Sequence, residues 1–63
     1  MLLTYKGEHP REVEVTKETK KYIYFQTNPK NMSPVKYRYN KATDEVQVAP
    51  YYNVIEGLQI KEN

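Results

Sequence analysis

The sequence predicts an all-β fold, and three observations support this. Apolar and polar residues alternate with a period of two at residues 12–16, 35–39 and 46–48, a pattern typical of half-buried strands. No segment repeats apolar residues at i, i+3, i+4 and i+7 over three turns, so a long amphipathic helix is not expected. Seven tyrosines among 63 residues add a side chain that favours strands.

The first half of the chain contains three predicted strands. Residues 2–6 form the first, and residues 7–10, which include a glycine and a proline, have the composition of a turn. Residues 12–16 form the second strand. A polar connection then leads to the third, at residues 22–26, which is apolar by residue type on both faces.

Two further strands are predicted in the second half of the chain. Residues 28–34 form the longest loop, because their prolines exclude them from a sheet interior. The alternating segments at residues 35–39 and 46–48 are the fourth and fifth strands. Residues 40–45 between them are predicted to form a tight hairpin, with Asp44 in a left-handed conformation.

The segment at residues 50–57 differs from the rest of the chain. It has a proline just inside its start and a glycine at its end, an arrangement that predicts a short helical turn. Residues 58–60 then supply a short final strand. The predicted order is therefore five strands, one helical turn and a last strand.

This order, at this length, is similar to that of an SH3-like small barrel, in which a short 3₁₀ turn precedes the last strand. Residues 50–54 also resemble the proline-asparagine-tyrosine stretch near the end of SH3 domains. The early aromatic motif and the acidic loop of that family's peptide site are missing, so the resemblance implies an architecture and no binding residues. We therefore predict a five- to six-stranded antiparallel meander, closed as an SH3-like barrel, in a single domain of residues 1–63.

The predicted core consists of the side chains that the alternation places inward. They are Leu3, Tyr5, Val13, Val15, Ile23, Phe25, Val35, Tyr37, Tyr39, Val46, Val48, Ile55, Leu58 and Ile60. A chain of 63 residues is close to the lower size limit for a domain that folds alone, so we expect modest stability, supplemented by ligand binding or self-association.

The same alternation predicts an outer face whose charge follows the order acid, tyrosine, base across three strands. The residues concerned are Glu12 and Glu14, then Tyr22 and Tyr24, then Lys36 and Arg38. Three interpretations fit this face: a surface that binds a protein, a surface that stacks bases and contacts phosphates, and a solvated sheet face with Arg38 stacked on Tyr24. The predicted partner-binding residues are Tyr22, Tyr24, Lys36, Arg38, Tyr51 and Tyr52.

The chain lacks the residue combinations that catalysis requires. There is no cysteine, and His9 is the only histidine. Ser33 precedes a proline and has no second histidine to activate it. Two isolated glycines exclude a glycine-rich phosphate loop. The sequence therefore predicts a non-enzymatic protein with no catalytic residue, no cofactor and no metal site.

The charge and the cysteine content limit which partners and which cell compartment the sequence predicts. Ten basic and eight acidic residues leave a net charge of +2, a small excess for a non-specific nucleic-acid binder. The absence of cysteine, of a signal peptide and of an apolar stretch that could span a bilayer predicts a cytoplasmic protein without a membrane partner.

The favoured function is a small protein-binding module: an accessory, adaptor or inhibitor protein of the kind that phages and other mobile elements encode. The alternative is a small-barrel nucleic-acid binder that uses the exposed tyrosines with Lys36 and Arg38. Because the glutamates on the outer face would repel phosphates, we favour the protein partner. Homodimerisation through an edge strand or through Tyr51 and Tyr52 is compatible with both.

Overall fold

The computed structural model describes residues 1–27 and 33–61, which form eight strands in two antiparallel sheets. The strands are β1 (Leu2–Tyr5), β2 (Glu8–Glu12), β3 (Glu14–Glu18), β4 (Tyr22–Gln26), β5 (Lys36–Asn40), β6 (Glu45–Val48), β7 (Asn53–Val54) and β8 (Leu58–Lys61). The small sheet has the order β2-β1-β8, and the large sheet has the order β3-β4-β5-β6-β7. The all-β prediction is confirmed. Most of the predicted loop at residues 28–34 lies outside the described residues.

The predicted five- to six-stranded antiparallel meander is confirmed in part. The strands β3 to β7 form a five-stranded meander, but the chain changes sheets at Val13, so the first strands belong to a second sheet. The alternating segment at residues 12–16 is divided there: β2 pairs with β1 in the small sheet, and β3 pairs with β4 in the large one. The Val13 amide donates a hydrogen bond to the Met1 carbonyl, at 3.2 Å. Alternation alone does not reveal such a change of sheet, because it continues through the break.

Residues 7–10, predicted to be a turn, lie mostly in β2. The turn itself is shorter: Lys6 (φ 53°) and Gly7 (φ 79°) connect β1 to β2, and Tyr5 lies opposite Glu8. Two consecutive positive φ values are characteristic of the tight two-residue turns that match strand twist. Pro10 is tolerated in β2 because this strand is at an edge of its sheet.

The predicted helical turn at residues 50–57 is also wrong, since the described residues contain no helix. The Ala49–Pro50 peptide bond is cis, and Tyr52 has a φ of 56°. A left-handed residue cannot continue a right-handed helical turn, and the chain instead folds back so that Asn53 pairs with Val48. Within the described residues the two sheets do not join into a closed barrel, so the SH3-like barrel is not confirmed.

The core lies between the two sheets. Leu3, Phe25 and Val46 are buried, and Phe25, which is 1% exposed, stacks on Tyr37 with ring centroids 5.4 Å apart and planes 12° apart. The partly buried side chains packed against these three are Val13, Tyr37, Tyr39, Leu58 and Ile60. β1 and β8 therefore cover the inner face of the large sheet with a few aliphatic side chains, as the alternation predicts.

Three of the predicted core residues are exposed: Tyr5, Val15 and Val35. Val15 points toward the core side by alternation, but β3 is an edge strand, and its five residues are all exposed. Tyr5 ends β1, and Val35 precedes β5, so each lies where a sheet stops. Inward orientation gives burial only where the opposite sheet extends far enough to cover the side chain.

The hairpin between β5 and β6 confirms the prediction for Asp44, whose φ is 59°. The Asn40 side chain accepts hydrogen bonds from the amides of Ala42 and Thr43, at 2.9 and 3.3 Å. The Tyr39 hydroxyl donates a hydrogen bond to the Asp44 carboxylate. This hydrogen bond, followed by desolvation and by the negative charge of Asp44, raises the pKa of Tyr39 above its ordinary value.

Because the pKa of Tyr39 is raised in the folded protein, its contribution to stability is complete below the unfolded-state pKa of about 10. Above that pH the unfolded chain releases the proton more readily, so the free energy of unfolding falls as pH rises. We expect Tyr39→Phe to reduce this alkaline slope in urea unfolding between pH 8 and 11. Equal slopes for the wild type and Tyr39→Phe would contradict the assignment.

Candidate functional site

The outer face of the large sheet carries a row of side chains that crosses all five strands. Lys17 lies opposite Tyr24, and Tyr24 lies opposite Arg38. Arg38 in turn lies opposite Gln47, and Gln47 lies opposite Val54. Residues directly opposite each other in a sheet share a face and contact one another. The strand register therefore places a cation on each side of Tyr24.

A bulge in β3 puts Lys17 in this row. The register shifts between Val15 and Lys17, so that Thr16 is an extra residue relative to β4. The Thr16 hydroxyl donates a hydrogen bond to the Tyr24 carbonyl, at 3.3 Å. Lys17 Nζ lies 5.9 Å from the centroid of the Tyr24 ring, within the range of a cation–π contact.

The predicted order of acid, tyrosine, base is confirmed only for Glu14. This residue lies opposite Gln26, so it is on the same face as Tyr24, but it does not pair with Tyr24. Glu12 lies opposite Leu2 in the small sheet and is not part of this face. Past the bulge, every side chain of β3 is shifted by one residue relative to an ideal ladder. The row through the centre of the face has the order base, tyrosine, base.

Arg38 contacts two tyrosine rings at once. Its Cζ lies 4.2 Å from the centroid of Tyr22 and 4.0 Å from that of Tyr52, and its Nε donates a hydrogen bond to Gln47 Oε1 at 2.7 Å. The stacking of Arg38 on Tyr24 is thus wrong: the two residues are register partners, but the guanidinium lies over the neighbouring rings. Each cation–π contact is worth about 0.5–1 kcal/mol at an exposed site. The Arg38 side chain is therefore held in one position.

The turn after β6 brings Tyr52 onto this face. Its left-handed φ folds the side chain back over β5, although it follows β6 in sequence. Tyr52, Tyr24 and Lys36 line one cleft of about 180 Å³. Lys36 is exposed and lies opposite Gln26, next to Arg38 along the same face.

Five of the six predicted binding residues thus lie on one continuous face. They are Tyr22, Tyr24, Lys36, Arg38 and Tyr52. Tyr51 is 83% exposed and has no hydrogen bond or ring contact within the described residues, so it is not joined to this set. Lys17 and Gln47 also belong to this face, but the sequence does not predict them as binding residues. Alternation along β6 could have identified Gln47, but no sequence signal marks the bulge that places Lys17.

The side chains of this face are tyrosine rings, lysine and arginine cations and one glutamine amide. Among residues 1–27 and 33–61 there is no group of three or more histidine, cysteine or acidic side chains that could hold a metal ion. Across the same residues, no helix is long and apolar enough to cross a membrane.

Comparisons with known proteins do not assign the chain to a family. No protein-family model matches it, and neither a curated protein nor a solved structure matches it.

Proposed function

We propose that this chain is a non-enzymatic protein-binding module that contacts its partner through the outer face of the large sheet. The observation that carries the proposal is the position of Arg38 over Tyr22 and Tyr52, with its Nε bonded to Gln47. Tyrosine and arginine are the residues most enriched among those that dominate binding energy at protein interfaces. Here they form one cluster on a sheet that the core supports from behind.

The cluster is preorganised for binding. Ordering a long side chain at an interface costs about 0.5–1.5 kcal/mol, and the Arg38 contacts have already removed much of that freedom. The Tyr22 and Tyr24 rings also contact each other, with centroids 6.0 Å apart and planes tilted by 53°. A partner therefore binds to a rigid surface, and little of the binding energy is spent on ordering the side chains of this surface.

The charge at the centre of the face indicates the chemistry of the partner, because the two acids on this face, Glu14 and Glu45, lie toward its ends, opposite Gln26 and Asn40. Lys17, Lys36 and Arg38 surround Tyr24 along and across the strands. Cations beside aromatic rings complement a protein segment that carries carboxylates. We accordingly propose an acidic partner surface, and for this chain a cytoplasmic role as an accessory, adaptor or inhibitor protein, of the kind that mobile elements encode. A relation to SH3-like barrels is part of the same proposal, supported by chain length and by two antiparallel sheets around one small core.

One observation favours the alternative of a nucleic-acid binder. Glu14 pairs with Gln26 and the bulge places Lys17 beside Tyr24, where an acid was expected. This arrangement removes one source of repulsion against phosphates. Single-stranded nucleic acids bind where stacking rings adjoin a positively charged groove. The net charge of only +2 and the occupation of two rings by Arg38 favour the protein partner.

The deciding experiment is affinity purification from the native host with three baits: the wild type, Tyr51→Ala, and the triple variant of Tyr22, Tyr24 and Arg38 to alanine. We expect the wild type and Tyr51→Ala to capture the same partner, and the triple variant to lose it. With the purified partner, Arg38→Ala should weaken binding by roughly 30-fold, the effect of a 2 kcal/mol hot spot.

Two controls accompany this experiment. Circular dichroism should show that the triple variant keeps the wild-type fold, because none of its three side chains is in the buried core, and light scattering should report self-association of each bait. Equal capture by the triple variant would exclude this face as the interface. Salt-sensitive binding of a fluorescent single-stranded oligonucleotide by the wild type alone would instead support the nucleic-acid alternative.

A further inference from the structure

A second cleft opens between the two sheets, on the side of β5 opposite the binding face. It has a volume of about 250 Å³. Its floor is formed by Leu3, Thr4 and Leu58, and the first two are buried. The Thr4 hydroxyl donates a hydrogen bond to the Gln59 carbonyl, at 3.4 Å. The floor is therefore largely apolar, and its hydroxyl already has an acceptor.

Two tyrosines line the same cleft, Tyr5 and Tyr37. The Tyr37 ring is held by its stack on Phe25 in the core. Tyr5 is exposed, and Lys6 Nζ lies 5.4 Å from the centroid of its ring. The wall formed by Tyr37 is thus rigid. The wall formed by Tyr5 is in contact with solvent and lies beside the Lys6 cation.

Arg11 is placed on the inner side of the small sheet by the strand register. It lies directly opposite Leu3, and opposite residues share a face. A buried leucine and an arginine therefore face the same cleft. Within the described residues, the Arg11 side chain has no hydrogen-bond acceptor and no ion-pair partner. Its guanidinium therefore has five donors available at this cleft.

His9 also lines this cleft, at a point where the backbone of β2 is irregular. The pairing of β1 with β2 slips between Leu3 and Tyr5, and His9 has a φ of 54°. Left-handed non-glycine residues and bulges store strain and often redirect side chains at functional sites. Together with Arg11, His9 adds a second nitrogen donor. The described residues that line the cleft include no carboxylate.

From this geometry we propose that the cleft binds a small aromatic carboxylate. The leucines and the tyrosines contact a flat ring, and Arg11, aided by His9, donates hydrogen bonds to the carboxylate. A cavity of about 150 Å³ accommodates benzene, so a cleft of about 250 Å³ has room for a ring that carries a carboxylate. This site is independent of the proposed protein-binding face, because it uses none of the same side chains.

The test is a chemical-shift titration of the full ¹⁵N-labelled chain with four probes: benzoate, benzylamine, benzyl alcohol and acetate. Benzoate should produce saturable shifts at the backbone amides of Leu3, Thr4 and Leu58. Benzylamine has the same ring with the opposite charge and should not saturate these signals. Acetate and benzyl alcohol, which each lack one of the two recognised groups, should bind more weakly than benzoate.

Variants then locate the anion site. Arg11→Gln should weaken benzoate binding by about tenfold or more, the effect expected for loss of a charge-assisted hydrogen bond. Lys61→Gln is the matched control, because Lys61 is an exposed cation opposite Leu2 on the other edge of the same sheet. It should leave the titration unchanged.

Several results would overturn the proposal. These are equal binding of benzoate and benzylamine, the absence of saturable shifts at the floor residues, and identical titrations of the two variants. The last result would assign Arg11 to a different role, that of an inward-pointing charge that guards an edge strand against pairing. Binding of benzoate by the wild type is measured independently of any variant, so a variant that fails to fold does not leave the question open.

Discussion

Phe25→Ala is expected to abolish the cooperative unfolding transition of this protein. Phe25 is 1% exposed and stacks on Tyr37 in a core with only two other buried apolar side chains among the described residues, Leu3 and Val46. Truncation of a buried phenylalanine to alanine costs about 3–5 kcal/mol. A domain of 63 residues has a total stability of roughly 3–9 kcal/mol at the usual value per residue. The loss is therefore comparable to the whole stability.

The measurement is urea unfolding followed by circular dichroism, with Val15→Ala as the matched control. Val15 lies directly opposite Phe25 in the pairing of β3 with β4, but it is 42% exposed. We expect Val15→Ala to lower the free energy of unfolding by less than about 1 kcal/mol, since little buried area is lost. A Phe25→Ala variant that unfolds cooperatively within 1 kcal/mol of the wild type would show that the core lies elsewhere.

Gly57→Ala is expected to lower the free energy of unfolding by about 2 kcal/mol or more. Gly57 has a φ of 88°, and a left-handed conformation costs an L-residue roughly 1–2 kcal/mol. A Cβ atom there would also lie 3.0 Å from Lys6 Cγ and 3.1 Å from Tyr5 Cε1. The Lys6 amide donates to the Gly57 carbonyl at 2.6 Å, so the two segments cannot separate without losing this hydrogen bond.

Gly7→Ala separates the two causes of this loss. Gly7 has a similar φ of 79°, but an added Cβ would meet no atom within 4 Å. Gly7→Ala should therefore cost only the conformational part, about 1 kcal/mol. The difference between the two variants in urea unfolding measures the crowding against Tyr5 and Lys6. If the two alanine variants were equally stable, the close approach at Gly57 would have no energetic consequence.

Much of the fold could be predicted because strand alternation is a local property. The strands β5 and β6 appear where the period of two is clear, and Val46 is buried as that period requires. The strand β4 appears at the short segment that is apolar on both faces, and its Phe25 is buried. The left-handed position of Asp44 also follows from local chemistry, since a short polar side chain tolerates it. By contrast, β2 was missed because its composition, with Pro10 at its centre, is that of a turn.

Strand alternation was sufficient to place Tyr22, Tyr24, Lys36 and Arg38 on one side of the large sheet. It could not establish which of these side chains touch, because contacts depend on register and turns. One extra residue in β3 places Lys17 instead of Thr16 beside Tyr24, and one left-handed residue brings Tyr52 onto Arg38 from outside the strands. The bulge and the left-handed residue are local backbone conformations that the surrounding sheet stabilises. For this reason they can be seen in the folded structure and not in the sequence.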